Sequence, residues 1–183
     1  GLEAFGGCES LSLPGNLAAA AATGGDYEDA SALTSFYGTS EEAWQRLLDG
    51  DLDIVLAYAP DSETEAKLKE QGVLLQPVGT DALVFLAGSA QESSAALTRD
   101  EIAAAYKGSS ANWKGYASAP SADSRKLFAQ LFGSDSAGVQ VKDGEDMLTA
   151  ACPHTAGTLC YTTWLEMQEN GIPQGAAVVA VDG

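Results

Sequence analysis

Three short hydroxyl-bearing turns are the residues of this chain best suited to chemistry. Ser10-Leu11-Ser12-Leu13-Pro14 leads into an alanine-rich helical run, Gly38-Thr39-Ser40 leads into Glu41 to Leu48, and Ser121-Ala122-Asp123-Ser124 leads into Arg125. Hydroxyls and orphan N–H groups at helix N-termini grip small anions without a metal, because the unpaired donors and the helix dipole both favour negative charge there. Ser and Thr also cap helices for purely structural reasons, so one such turn means little by itself. Three of them in one chain point to capture of a small anion, with Ser12, Thr39 and Ser40 as contacts early in the chain and Ser121 and Ser124 later.

Other chemistries have thinner support. His154 is the sole histidine, and the paired spacings of a zinc site are absent, so neither a metal nor a cofactor is expected. Cys152 and Cys160 flank Pro153-His154 in a Gly/Thr-containing loop. They either close a small disulfide loop in an oxidising compartment or stay two buried thiols that never meet. A Cys–His nucleophile pair would be the enzymatic use of the same residues, but no nucleophile elbow or phosphate-cradling P-loop accompanies it, and an enzyme is not expected. Cys8 fits a strand-edge position, and Phe5-Gly6-Gly7-Cys8 has only a superficial likeness to a lipoprotein cleavage box. Trp44, Trp113 and Trp164 read as packing residues, with Trp44 or Tyr58 the aromatic groups available to stack on a ligand.

Elements that position these residues follow from pattern. Glu9 to Leu13 alternates polar and apolar and predicts a strand, then a turn and a helix from Leu17; Ala32 to Tyr37 predicts a second strand, and Ser40 a cap for the helix Glu41–Leu48. The near-continuous apolar run Asp53 to Tyr58 predicts a strand buried in a parallel sheet, followed by a helix from Ser62 to Gln71 and strands at Val73–Val78 and Ala82–Ala87. Thr98 and Glu101 form a capping-box pattern for a helix ending at Gly108. Further helices are predicted over Ser124–Phe132 and Gly144–Ala151, and strands over Thr158–Leu165 and Ala176–Val181.

Strands alternating with helices predict an α/β protein of two small lobes with mixed, mostly parallel sheets and an inter-lobe cleft. Residues 1–87 plus about 161–183 are expected to form lobe one and residues 88–160 lobe two, the polar stretch after Gly88 being the joint. At 183 residues, with 45% apolar content, the chain can bury one ordinary core or two small ones. No window approaches the roughly 18 apolar residues of a membrane-spanning helix. Nine basic residues against twenty-six acidic ones give a net charge of −17. That field repels phosphate backbones and excludes nucleic acid as a partner. It also slows small anions, which must then be held by donors acting at short range.

The order Thr80 to Ala87, Leu97 to Ile102, Tyr106-Lys107-Gly108 and Asn112-Trp113, set among the three turns, resembles the phosphate-binding family of periplasmic-type solute-binding proteins. The resemblance runs from about Ser10 to Asp182 and is strongest from Gly38 to Trp113. It implies the type II periplasmic-binding fold and a bacterial, extracytoplasmic protein, lipid-anchored or free in the periplasm. Phosphate or a similar oxyanion would be captured between lobes for a membrane permease or sensor, by a monomer. By this likeness Ser12 and Leu13 match the family's first ligand loop, and Thr39 with Ser40 the second.

Two positions depart from the family pattern. The acceptor carboxylate is replaced by Ala57-Tyr58-Ala59-Pro60, leaving Asp61 displaced along the loop, and the Arg and Gly-Ser-Gly loop reads Ser118 to Ser124, leaving Arg125 as the substitute cation. The alternative reading is therefore an interaction or sensory module of the same fold that has lost tight phosphate binding.

Overall fold

The computed structural model describes residues 4–22, 34–89, 91, 95–140 and 155–182. The chain forms two compact units, Gly1–Val78 and Gly79–Gly183. No helix among the described residues is long and apolar enough to cross a membrane.

In the first unit β1 (Ala4–Cys8) is followed by a 3-10 turn (Glu9–Leu11), α1 (Ser12–Ala22), β2 (Thr34–Gly38), α2 (Ser40–Leu48), β3 (Ile54–Leu56) and α3 (Ser62–Glu70). β1 lies in the middle of a parallel sheet of order β2-β1-β3. The first strand is thus one segment earlier than its alternation predicts. Glu9, Ser10 and Ser12 belong to the turn into α1, whereas Phe5, Gly6, Gly7 and Cys8 are buried in the sheet. A β-carbon on Gly7 would stand 2.1 Å from the Leu56 carbonyl oxygen, so only glycine lets β1 and β3 pair there. Cys8 is fully buried at the end of this central strand and is not at a sheet edge.

The helix over α2 buries Ala43 and Trp44, and the Trp44 Nε1–H donates to the Tyr58 carbonyl at 2.9 Å. Trp44 is therefore a packing residue that fixes the loop after β3. Residues 73–78 form no strand; Leu74 and Val78 are 85% and 76% exposed. Their β-favouring composition needs a neighbouring strand to pair with, and propensity without a partner does not hold a strand.

The second unit contains β4 (Leu83–Ala87), β5 (Ala96–Thr98), α4 (Arg99–Lys107), β6 (Lys114–Ala117), α5 (Asp123–Phe132), β7 (Val139–Gln140), β8 (Thr158–Thr163), α6 (Trp164–Asn170), β9 (Ala177–Val178) and β10 (Ala180–Asp182). Its five-stranded sheet has the order β7-β6-β8-β4-β9, with β6 parallel to β7 and β8 and β4 antiparallel to β8 and β9. β5 and β10 form a separate parallel pair. The α/β class with mixed, mostly parallel sheets is as expected. β4 pairs with β8 from Leu83↔Thr163 to Ala87↔Leu159 and with β9 at Leu86 and Ala87.

Trp164 to Asn170 is a helix where strand was expected to continue to Leu165, because Thr163 caps it by accepting from the Glu166 N–H. Trp164, at its start, is 52% exposed. The Thr98–Glu101 capping box forms as predicted, and Gly108 and Gly133 close α4 and α5 in the left-handed conformation, with φ 73° and 66°. The core is aromatic: Phe85, Tyr106, Phe128, Phe132 and Tyr161, with Phe128 centroids 4.8 Å from Tyr106 and 5.1 Å from Tyr161. The predicted Gly144–Ala151 helix lies outside the described residues.

The Gly7 contact is testable. Gly7→Ala forces β1 from β3 and is expected to lower stability by about 1 to 3 kcal/mol, read as a lower urea midpoint; an unchanged midpoint would refute the close approach.

Candidate functional site

Parallel pairing brings the carboxyl ends of β1, β2 and β3 to one edge of the first sheet. Cys8 stands opposite Gly38, and Gly7 opposite Leu56, with neighbouring strands about 4.8 Å apart. The segments leaving these strands carry Ser10 and Ser12, then Thr39 and Ser40, then Tyr58. Chain from β1 turns to β2 on one side, and chain from β2 crosses to β3 on the other. In open α/β sheets ligands bind outside the carboxyl ends at such a switch point. Ser12, Thr39 and Ser40 lie in segments that leave the carboxyl ends of the adjacent strands β1 and β2.

Their roles differ in detail. Thr39, not Ser40, caps α2: its Oγ1 accepts from the Glu42 N–H at 3.2 Å, and Glu42 Oε2 accepts from the Thr39 N–H at 2.9 Å. Ser40 is buried and its Oγ accepts from the Tyr58 N–H at 3.0 Å, tying the β2 and β3 exits together. Ser12 is the half-buried first residue of α1, Leu13 follows it in the helix, and Tyr37 Oη donates to Asn16 Oδ1, anchoring α1 to β2. Asp61 caps α3, accepting from the Thr64 N–H at 2.7 Å. The displaced acceptor carboxylate therefore has a helix-capping bond of its own.

In the second unit the chain after β6 builds a buried hydroxyl network. Ser118 Oγ donates to Tyr161 Oη at 3.0 Å, and the Ser118 N–H reaches the same oxygen at 3.3 Å. Ser124 Oγ lies 2.9 Å from Ser118 Oγ, and Ser136 Oγ lies 2.7 Å from Tyr161 Oη. Burial pushes the Tyr161 phenol above its ordinary pKa, against the pull of its bonds from Ser118 and Ser136, so it remains a protonated donor. Tyr161, Ser118 and Ser136 are not legible as a site in sequence, since every residue of β8 is buried and its pattern does not mark one face.

Arg125 sits beside this network and is 7% exposed. Its Nε and Nη2 donate to Asp135 Oδ1 and Oδ2 at 2.8 and 2.7 Å, and its Nη1 donates to the Ser118 carbonyl at 3.2 Å. The substitute cation of the sequence reading is buried and paired with Asp135. Ser124 is buried too, whereas Ser121 is exposed in the turn before α5. Cys160 is buried in β8, while Cys152 and His154 lie outside the described residues.

A family model described as a PBP superfamily domain matches residues 3–143. The chain belongs to the PBP superfamily. Among solved structures, this PBP-superfamily chain is similar to a protein from Clostridium perfringens described as a phosphate ABC transporter substrate-binding protein with bound phosphate. The two are 12% identical, with a TM-score of 0.70 over 99% of this chain and 76% of that one. An ABC-type phosphate transport receptor from Vibrio cholerae is 15% identical, with a TM-score of 0.62 over 98% and 76%. The effector binding domain of QuiR in complex with shikimate is 11% identical, with a TM-score of 0.62 over 100% and 81%. No curated protein sequence matches the chain. Likeness at these identities establishes a solute-binding fold.

In this PBP-superfamily chain the Arg125–Asp135 pair links folding to pH. The hydrogen bonds from Arg125 hold the Asp135 carboxyl below its ordinary value. A carboxylate lowered on folding adds stability that is complete above its unfolded value of about 3.9 and is lost as pH falls through the lower folded value. Wild type is expected to exceed Asp135→Asn in thermal stability near neutrality, with the gap closing below about pH 4. A gap that persists or widens in acid would contradict the pairing.

Proposed function

We propose that the protein is an extracytoplasmic solute-binding protein that captures a small oxyanion, phosphate or a carboxylate, and presents it to a membrane permease or sensor. The observation that carries this reading is the gathering of Ser12, Thr39 and Ser40 at the carboxyl edge of the first sheet in a PBP-superfamily chain. Hydroxyls and helix-terminal amides there are the donors that hold an anion without a metal. Ser121 and Ser124, before and at the start of α5, are the second unit's proposed contacts. That proteins of this fold hold phosphate in one case and shikimate in another supports a small oxygen-rich solute.

A second reading is favoured by one observation: Arg125 and Ser124 are already bonded within the protein. A module of this fold with its anion groups so engaged would serve as a sensory or protein-interaction domain, with no tight phosphate binding.

A thermal-shift panel of phosphate, monocarboxylates, amino acids and sugars separates the two. A bound solute at about 100 times its dissociation constant adds about 2.7 kcal/mol. A clear rise in melting temperature with phosphate or a monocarboxylate is the expected result. No response to any solute would overturn solute capture and leave the interaction module.

A further inference from the structure

One loop residue of the first unit is held by α2 at both of its backbone groups. The Tyr58 N–H donates to Ser40 Oγ at 3.0 Å, and the Trp44 Nε1–H donates to the Tyr58 carbonyl at 2.9 Å. Ser40 and Trp44 are both buried and stand one helical turn apart, so they meet the loop from the same face of α2. Tyr58 lies between β3, which ends at Leu56, and α3, which begins at Ser62. Surface loops ordinarily leave such backbone groups to water, whereas here the packed side chains of a helix fix them. Support of this kind keeps a contact residue in one place.

The loop reads Ala57-Tyr58-Ala59-Pro60-Asp61, and the Asp61 carboxylate already accepts from the Thr64 N–H at the start of α3. Among residues 57–60 only Tyr58 carries a polar group or an aromatic ring, and it is half-buried, with part of it open to solvent. The exit of β3 thus offers an uncharged aromatic side chain with a hydroxyl at its tip. A net charge of −17 opposes any anion at long range, but stacking on an aromatic face is a short-range contact that this field does not weaken.

We infer that Tyr58 is a further solute contact at the carboxyl edge of the first sheet, held for that role by Trp44 as a positioning residue, and that it selects a carboxylate joined to a ring. The inference rests on the solute-binding reading above and narrows it. The hydroxyls of Ser12 and Thr39 take the carboxylate, and Tyr58 takes the ring.

Benzoate and acetate, which share a carboxylate and differ in the ring, are the probes, with phosphate as the third. Calorimetric titration of the full chain at fixed ionic strength should give benzoate binding about three- to tenfold tighter than acetate, the ratio that one aromatic contact supplies. Tyr58→Phe should keep that ratio, and Tyr58→Leu should bring it to about one. Trp44→Phe keeps an apolar ring and loses the N–H donor, so the ratio should fall in a chain whose circular dichroism matches wild type, a change that packing alone does not predict. Should the variants fail to fold, the wild type still decides: benzoate is expected to shift the ring resonances of Tyr58, and acetate is not. Acetate binding with no advantage for benzoate, or an advantage that survives Tyr58→Leu, would overturn the inference. Binding of phosphate but of neither carboxylate would overturn it and leave solute capture standing, and no response to any of the three would overturn both.

Discussion

A guanidinium taken out of water must be neutralised, and in this chain Asp135 does it. Breaking such a pair by removing one partner leaves an uncompensated buried charge, which in comparable cases costs about 3 to 5 kcal/mol. Asp135 is 59% exposed, so solvent screens this pair and its loss costs well below that range. Much of the second unit's local order follows from the pair. Arg125 fixes the first turn of α5 against the Ser118 carbonyl, and Asp135 fixes the turn after α5, which brings Ser136 onto Tyr161. Tyr161 then joins the hydroxyls to the aromatic core through its ring, stacked on Phe128.

The first unit depends on a different constraint, the close approach of β1 and β3 at Gly7. With that approach the carboxyl ends of the three strands share an edge, from which the chain runs into α1 and α2. The Thr39 and Ser40 hydroxyls are already bonded within the fold. Thr39 illustrates the point: its Oγ1 holds the Glu42 amide, while its own amide holds the Glu42 carboxylate.

Local signals carried much of this architecture. The Thr98-x-x-Glu101 box and the Gly108 and Gly133 stops are written in a few adjacent residues, and each forms where the pattern places it. The apolar run after Asp53 forms only the short edge strand β3 with Ile54 exposed, not a strand buried on both faces. Non-local pairing was less legible. Nothing in Leu83 to Ala87 says that its partner is β8, more than seventy residues on. The Val73–Val78 run has strand composition and no partner. Ser12, Thr39 and Ser40 stand out as candidates because hydroxyls before helices are a sequence-local signature. Tyr161 and Asp135 were missed because they act across 43 and 10 residues of chain, on Ser118 and Arg125 respectively.

Amide chemical-shift mapping tests solute capture at the first sheet's edge most directly. Titrating the isotopically labelled chain with a monocarboxylate such as acetate, and separately with phosphate, at constant ionic strength should move the amides of Ser12, Thr39, Ser40 and Tyr58 together and saturably. Shifts confined to other surfaces, or linear drift without saturation across the whole chain, would contradict the account.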